Sequence, residues 1–217
     1  MQAAVIPIVF LPGAVGRASF WTPVADRLRH LASPTLVGWP GFGEEPPDPR
    51  IGSLDDLLGW LRERLPPEPF HLVAQSMGGV LALRLALEDS KRVASLVLTA
   101  TSGGVDLAGR GVADWRADFR AEHPLVPDWF ERDRTDLTSR FCEVRVPTLI
   151  LHGDADPLCP PALVALLERR IPGSRAIRVA GGTHSLARER PGEVAALIEA
   201  YLTSLAGSFG RATTPRP

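Results

Sequence analysis

The fold of this chain is decided by residues 70–79, which read FHLVAQSMGG. The apolar run before the serine predicts a strand, and residues 77–88 predict a helix directly after it. A strand that turns sharply into a helix strains the serine at its apex, so the residues two positions away on either side need to be small. Ala74 and Gly78 meet this requirement. The stretch is therefore predicted to be a strand–turn–helix that presents Ser76 as a candidate nucleophile.

The rest of the chain alternates between strand and helix patterns. Strands are predicted at 6–11, 35–37, 70–73, 93–99, 148–152 and 176–179. Helices are predicted at 20–31, 54–65, 77–88, 161–170 and 192–205. The strand runs are almost continuously apolar, as expected when helices cover both faces of a parallel sheet. This pattern predicts a doubly wound α/β fold with a mostly parallel sheet and helices on both faces.

Composition excludes several classes of protein. A chain of 217 residues suits one domain, and its net charge of −1 and 45% apolar content indicate neither a nucleic-acid partner nor a membrane surface. The two cysteines, Cys142 and Cys159, are too scattered for a disulfide framework or a metal motif, so no metal and no cofactor are expected. The N-terminus shows no signal-peptide pattern and the chain has no long apolar run, which predicts a cytoplasmic location.

Two segments depart from the alternation. Residues 101–146 contain no strand pattern, hold much of the aromatic content, and are divided by Pro124 and Pro127, so a short helical cap insertion is predicted there. Residues 207–217 are rich in Gly, Ser, Thr and Pro, which predicts a disordered tail. The domain prediction is thus a single α/β domain over residues 1–217 that carries this insertion and this tail.

Candidate partners of Ser76 follow the last two predicted strands. Ligands of open parallel sheets bind beyond the carboxyl ends of the strands, so the loops there are expected to carry chemistry. One such loop contains Asp154 and Asp156, and the other contains His184. Serine, acid and histidine in this chain order are typical of a nucleophile, an orienting carboxylate and a general base. Side chains two residues apart can point in opposite directions, so either aspartate could be the acid.

Three further motifs complete a family pattern. Residues 10–16 read FLPGAVG, residues 39–43 read WPGFG, and residues 145–153 read RVPTLILHG. Together with the serine stretch and the two loops, and in this order, they resemble the α/β-hydrolase fold family over roughly residues 5–205. Among its members the chain looks most like the small carboxylesterases of the pimeloyl carrier-protein methyl ester esterase type.

This resemblance implies roles for individual residues. The family pattern places the acid three residues after the glycine, which favours Asp156 over Asp154. The backbone N–H groups of Ala14 and Met77 would form an oxyanion hole. Comparison with the family also predicts about six strands, because the sequence begins almost at the strand before the loop 10–16. Candidate pocket residues are Trp21, Trp115, Phe119, Trp129, Phe130 and Leu158.

The expected activity is hydrolysis of a small or medium carboxylic ester, lactone or thioester, a small-molecule substrate. A perhydrolase, an acyl transferase or a lyase on the same fold is the alternative, and a non-catalytic binding protein is a further one. Residues 101–146 carry seven basic and nine acidic residues, which offers no clear docking surface for an acidic carrier protein. A carrier-protein partner and the oligomeric state are left open by the sequence.

Overall fold

Six strands form one parallel sheet in the computed structural model, which describes residues 5–107, 110, 112 and 114–211, with side chains of the last helix described only to residue 206. The strands are β1 (Ile8–Leu11), β2 (Pro34–Leu36), β3 (Phe70–Gln75), β4 (Val93–Thr99), β5 (Thr148–Gly153) and β6 (Arg175–Val179). The helices are α1 (Thr22–Leu28), α2 (Leu54–Arg62), α3 (Met77–Glu88), α4 (Arg116–Glu122), α5 (Trp129–Arg132), α6 (Pro161–Arg170), α7 (Leu186–Glu189) and α8 (Pro191–Arg211). The sheet order is β2-β1-β3-β4-β5-β6.

The nearly continuous apolar strands feed two cores, one on each face of the sheet. In β1, Val9 and Leu11 join the core beneath α2, α3 and α6, whereas Ile8 and Phe10 join the core beneath α1, α7 and α8. Neighbouring side chains of a strand point to opposite faces, so a strand covered by helices on both sides needs apolar residues at every position. Each fully buried side chain of this kind contributes about 1.5–3 kcal/mol of transfer free energy. The predicted α/β sheet of about six strands is confirmed.

The order of the strands fixes where a ligand can bind. The chain moves from β1 to β2 on one side and then crosses to β3 on the other side of β1. The connections after β1 and β3 therefore diverge and leave a crevice at the carboxyl ends of these two strands. The loop 12–16 and Ser76 begin at this crevice.

Helix boundaries follow local signals for the most part. α3 and α6 have the predicted bounds, and Ser53 caps α2, as its Oγ accepts from the N–H of Asp56 at 3.1 Å. The first helix is shorter than predicted, because a 3₁₀ turn (Ala18–Trp21) precedes α1. α8 continues to Arg211 and so enters the segment predicted to be a disordered tail; residues 212–217 lie outside the described part of the chain. No helix in the described part is long and apolar enough to cross a membrane.

The segment 101–146 connects β4 to β5. It contains α4, α5 and a 3₁₀ turn (Phe141–Glu143), and no strand among its described residues. The two helices are short because Pro124 and Pro127 stand between them, where a continuing helix would lose a backbone donor. The segment thus consists of short helices that leave the sheet at the carboxyl end of β4, where the crevice lies, and return to it at the start of β5.

A half-buried histidine lies at the opposite end of the sheet. His71 is the second residue of β3, and its Nδ1 is hydrogen-bonded to the Oγ of Ser95 at 2.8 Å. Burial lowers the pKa of His71 from 6.5 to about 4. The unfolded chain therefore takes up a proton near pH 6.5, whereas the folded chain takes it up only near pH 4. His71 thus contributes stability above pH 6.5 that is lost as the pH falls towards 4.

We expect His71 to make folding acid-sensitive. The free energy of unfolding should fall by about 2 kcal/mol more in the wild type than in His71→Gln between pH 7 and pH 4.5, a value reduced from the full shift because the ring is only half-buried. Urea unfolding at several pH values measures this difference. Both proteins carry the other titratable groups unchanged, so the contributions of those groups cancel in this difference. Parallel curves for the wild type and His71→Gln would contradict the expectation.

Candidate active site

Ser76 lies in the turn between β3 and α3 with a strained backbone. Its φ is 52° and its ψ is −120°, a backbone conformation that residues other than glycine rarely adopt. The turn is held from below: the N–H of Ser76 donates to the carbonyl of Thr99 at 3.1 Å, and the hydroxyl of Thr101 donates to the carbonyl of Ser76 at 2.7 Å. A Cβ at Gly78 would lie 2.4 Å from the carbonyl oxygen of Pro12. Only glycine allows the first turn of α3 to approach the loop after β1 this closely.

His184 and Asp156 meet Ser76 at the carboxyl edge of the sheet. The Oγ of Ser76 lies 3.0 Å from the Nε2 of His184, and the Nδ1 of His184 lies 2.9 Å from the Oδ2 of Asp156. A carboxylate oxygen accepts hydrogen bonds, so Nδ1 carries the proton and Nε2 is free to accept from the serine hydroxyl. The side chain of Asp156 is fully buried, and its other oxygen accepts from the N–H of Leu158 at 2.8 Å. The three groups form one hydrogen-bonded series.

Asp154 points away from this series. Its Oδ1 accepts from the backbone N–H of Gly181 at 2.5 Å, and its Oδ2 pairs with Arg178 at 3.3 Å. The two aspartates of the loop thus divide their contacts: Asp154 holds the backbone of the loop that carries His184, and Asp156 holds the imidazole. Of the two aspartates, Asp156 is the one within hydrogen-bonding distance of His184.

The loop after β5, which carries Asp156, and the loop after β6, which carries His184, come into contact at two glycines. A Cβ at Gly153 would lie 1.9 Å from the carbonyl oxygen of Gly182, a distance that no side chain could occupy. That carbonyl instead accepts from the N–H of Ala155 at 3.0 Å. Because the two backbones touch, the loop after β5 and the loop after β6 reach the same point, and Asp156 comes within hydrogen-bonding distance of His184.

The loop after β1 covers the start of α3. Gly13 packs against Ser76, since a Cβ there would lie 3.1 Å from the Cβ of Ser76. The indole N–H of Trp39 donates to the carbonyls of Pro12 and Gly13 at 3.2 and 3.1 Å and holds the loop in place. Ala14 follows directly in this loop. Met77 is the first residue of α3, so its N–H has no acceptor within the helix.

Aromatic side chains of the segment 101–146 form a cluster that includes Phe42, which lies outside this segment and is not among the predicted pocket residues. Trp115 stacks on Phe130 at 5.8 Å between ring centroids, and Phe119 contacts Phe130 at 5.3 Å. Phe42 contacts both Trp129 and Phe130, at 5.4 and 5.8 Å. In the sequence, Phe42 is marked only by its place inside the motif WPGFG.

Two other predicted pocket residues lie elsewhere or touch the site differently. Trp21 is fully buried in the core beneath α1 and α8, and its indole N–H donates to the carbonyl of Leu11 at 2.9 Å. It is a core residue and not the wall of a pocket, because the 3₁₀ turn before α1 directs it under the sheet. Leu158 is half-buried and contributes its backbone N–H to Asp156.

Two further titratable groups, Cys159 and His152, lie beside the loop that follows β5. Burial raises the pKa of the Cys159 thiol to about 12 and lowers the pKa of His152. The thiol donates to the carbonyl of Thr101 at 3.4 Å, so Cys159 packs as an inert buried residue. Within the described ranges, no group of three or more His, Cys, Asp or Glu side chains is arranged to hold a metal ion.

Comparisons of sequence and fold show which known proteins this chain resembles. The profile of the family described as alpha/beta hydrolase fold matches residues 6–143, and that of a family described as TAP-like protein matches residues 128–208. The pimeloyl-[acyl-carrier protein] methyl ester esterase of Aeromonas hydrophila subsp. hydrophila is 26% identical, over 90% of this chain and 94% of that protein. A thermophilic esterase from Thermogutta terrifontis superposes with a TM-score of 0.76 at 20% identity, over 92% of this chain and 90% of that one. The enol-lactonase of Burkholderia xenovorans superposes with a TM-score of 0.72 at 20% identity, over 93% of both chains.

Proposed function

Because this chain belongs to the α/β-hydrolase fold family, we propose that it hydrolyses carboxylic esters through an acyl-enzyme on Ser76. The observation that carries the proposal is the hydrogen-bonded series from Ser76 through His184 to Asp156, with separations of 3.0 and 2.9 Å. These are the distances at which a base can take a proton from a nucleophile while a carboxylate orients the base.

The two half-reactions use the same base. As the Oγ of Ser76 bonds to the carbonyl carbon, its proton passes to the Nε2 of His184. The imidazolium then gives this proton to the departing alkoxide, and the ester C–O bond breaks to leave an acyl-serine. In the second half, His184 takes a proton from water as its oxygen attacks the acyl carbon, and returns it to the Oγ of Ser76. Asp156 holds the imidazole in one tautomer and stabilises its charged form.

The negative charge that forms on the carbonyl oxygen needs donors that are already in place. We assign this role to the N–H groups of Ala14 and Met77. Their support is position: Met77 begins a helix and its N–H has no acceptor within that helix, and the loop containing Ala14 lies against Ser76. Donors of this kind each lower the barrier by about 3 kcal/mol. These steps use only residues of this chain and water.

We propose that the segment 101–146 is a cap with an aromatic cluster, of which the half-buried Trp115 and Phe119 line the acyl site and the buried Phe42, Trp129 and Phe130 pack behind them. The cluster consists of Phe42, Trp115, Phe119, Trp129 and Phe130, and it joins the cap to the motif beside the loop after β1. A Cβ at Gly16 in that loop would lie 2.1 Å from the Cβ of Phe42, so the cluster lies next to the proposed oxyanion loop. Large aromatic walls favour an apolar acyl group of small to medium length.

The name of one relative and the charges of the cap both bear on the substrate class. The esterase of Aeromonas hydrophila acts, by its name, on a methyl ester carried by an acyl-carrier protein. In this chain several charges of the cap are paired with one another, as in Arg120–Glu131 and Arg132–Asp128. Such pairing leaves few unpaired cations for an acidic partner, and the nine acidic residues of the segment outnumber its seven basic ones, so we propose a small-molecule ester, lactone or thioester as the substrate.

Trapping the acyl-enzyme tests this function. Purified protein mixed with a short p-nitrophenyl ester should release a burst of nitrophenol, and a fluorophosphonate should add once, on the peptide that contains Ser76. Ser185→Ala changes an exposed serine next to His184 and should label like the wild type. Addition elsewhere, or no addition at all, would overturn the proposal and favour a binding protein on a hydrolase scaffold. Product ratios with added alcohol or peroxide separate hydrolysis from acyl transfer and perhydrolysis.

A further inference from the structure

Gln75, the residue before the nucleophile, reaches the loop that carries the base. It ends β3 and is 95% buried, as only 5% of its surface is exposed. Its side-chain Nε2 donates to the backbone carbonyl of His184 at 3.2 Å. Because Gln75 and Ser76 are consecutive, this bond ties the backbone of the base directly to the strand that carries the nucleophile.

The other end of the same amide lies against the loop after β1. A Cβ at Gly13 would lie only 2.1 Å from the Oε1 of Gln75, so glycine at this position is what lets the amide fit. The residue after Gly13 is Ala14, one of the two proposed oxyanion donors. One buried side chain therefore contacts two of the loops that surround Ser76.

The histidine loop needs such a tie. It contains Gly181, with a φ of 65°, and Gly182, and glycines leave a backbone with many accessible conformations. Two other side chains anchor it, but at residues before the histidine: Asp154 accepts from Gly181, and Glu189 accepts from the hydroxyl of Thr183 at 2.7 Å. Among the described residues, only the amide of Gln75 reaches the backbone of residue 184 from the nucleophile strand.

We infer that Gln75 is a positioning residue that sets the separation between the Oγ of Ser76 and the Nε2 of His184. The inference rests on the proposed function. A base held a few tenths of an ångström too far accepts the serine proton poorly, while substrate contacts in the cap are unchanged. Loss of the amide should therefore lower the rate of acylation and leave KM nearly constant.

Two variants of similar length separate positioning from general support. Gln75→Met removes the N–H and keeps the volume, and we expect the acylation rate constant per active site to fall about 30-fold with KM within about twofold. When it is ionised, Gln75→Glu also lacks a donor and adds a carboxylate beside the histidine loop. The carboxylate stabilises the protonated imidazole, so the acid limb of the kcat/KM profile should move to higher pH. A merely structural residue would reduce the burst amplitude, which counts competent sites, without moving this limb.

The control is Glu189→Gln, which weakens the anchor of the same loop at Thr183. It should keep the acylation rate constant within about threefold and leave the pH profile in place. The inference is overturned if both Gln75 variants acylate at the wild-type rate per active site, or if Glu189→Gln matches Gln75→Met while Gln75→Glu shows no pH shift. Either result leaves the proposed function standing, provided that the wild type still forms an acyl-enzyme on Ser76. If the wild type forms none, it is the proposed function that fails.

Discussion

Ser76→Ala is expected to lower kcat/KM for a short p-nitrophenyl ester by about 10⁵–10⁶-fold. The substitution removes the only oxygen that lies within hydrogen-bonding distance of the Nε2 of His184 in the described structure. The residual rate should come from the oxyanion donors and from binding, which act without a nucleophile. Steady-state hydrolysis, with fluorophosphonate labelling in parallel, measures the loss.

Stability measurements show whether such a loss is chemical. Alanine keeps the strained φ of 52°, so Ser76→Ala should unfold at the wild-type denaturant concentration. Ser76→Gly should also be inactive, but its free energy of unfolding should rise by about 1 kcal/mol, because glycine adopts this backbone conformation at little cost. A folded Ser76→Ala enzyme that keeps its activity would contradict the assignment of Ser76 as nucleophile.

Asp156→Asn is expected to lower kcat by about 10⁴-fold. An asparagine at this position has almost the same shape, but its amide can present an N–H to the Nδ1 of His184. The imidazole would then carry its proton on Nε2, where it can no longer accept from Ser76. Hydrolysis under saturating ester, with binding and folding checked separately, measures the effect.

Asp154→Asn is the matched control two residues away. Its contacts are the N–H of Gly181 and the guanidinium of Arg178, and an amide oxygen can still accept from the former. We expect activity within about tenfold of the wild type, because only the support of the loop is weakened. If Asp154→Asn proved the more damaging of the two changes, Asp154 would be the acid and the proposed roles would be reversed.

Local sequence patterns predicted the elements of the sheet because their causes are local. The apolar side chains of each strand alternate between two faces of the sheet, both covered by helices. α3 has the predicted bounds because the strained serine and its small neighbours set where this helix starts. The first helix was predicted too long, since the apolar spacing of residues 20–31 does not distinguish a 3₁₀ turn from an α-helix. α8 extends further than its composition indicated, to Arg211.

The sequence did not predict the contacts between segments that lie far apart in the chain. Trp21 was a pocket candidate by its place in the chain, but the turn before α1 buries it beneath the sheet. The place of Phe42 in the motif WPGFG did not indicate that it contacts Trp129 and Phe130. Which surface an aromatic side chain covers depends on how two elements pack, and periodicity within one element does not contain that information.

The sequence by itself determined the parallel α/β sheet, the strand–turn–helix at Ser76, and the order of serine, acid and histidine along the chain, since each follows from neighbouring residues. Only the tertiary structure decided which of Asp154 and Asp156 contacts His184, and only it brought Gln75 to the same residue. The reason is the crossing of the loops at Gly153 and Gly182, where a Cβ would lie 1.9 Å from a carbonyl oxygen. That close approach directs one aspartate to the imidazole and the other to the backbone, and it involves residues far apart in the chain.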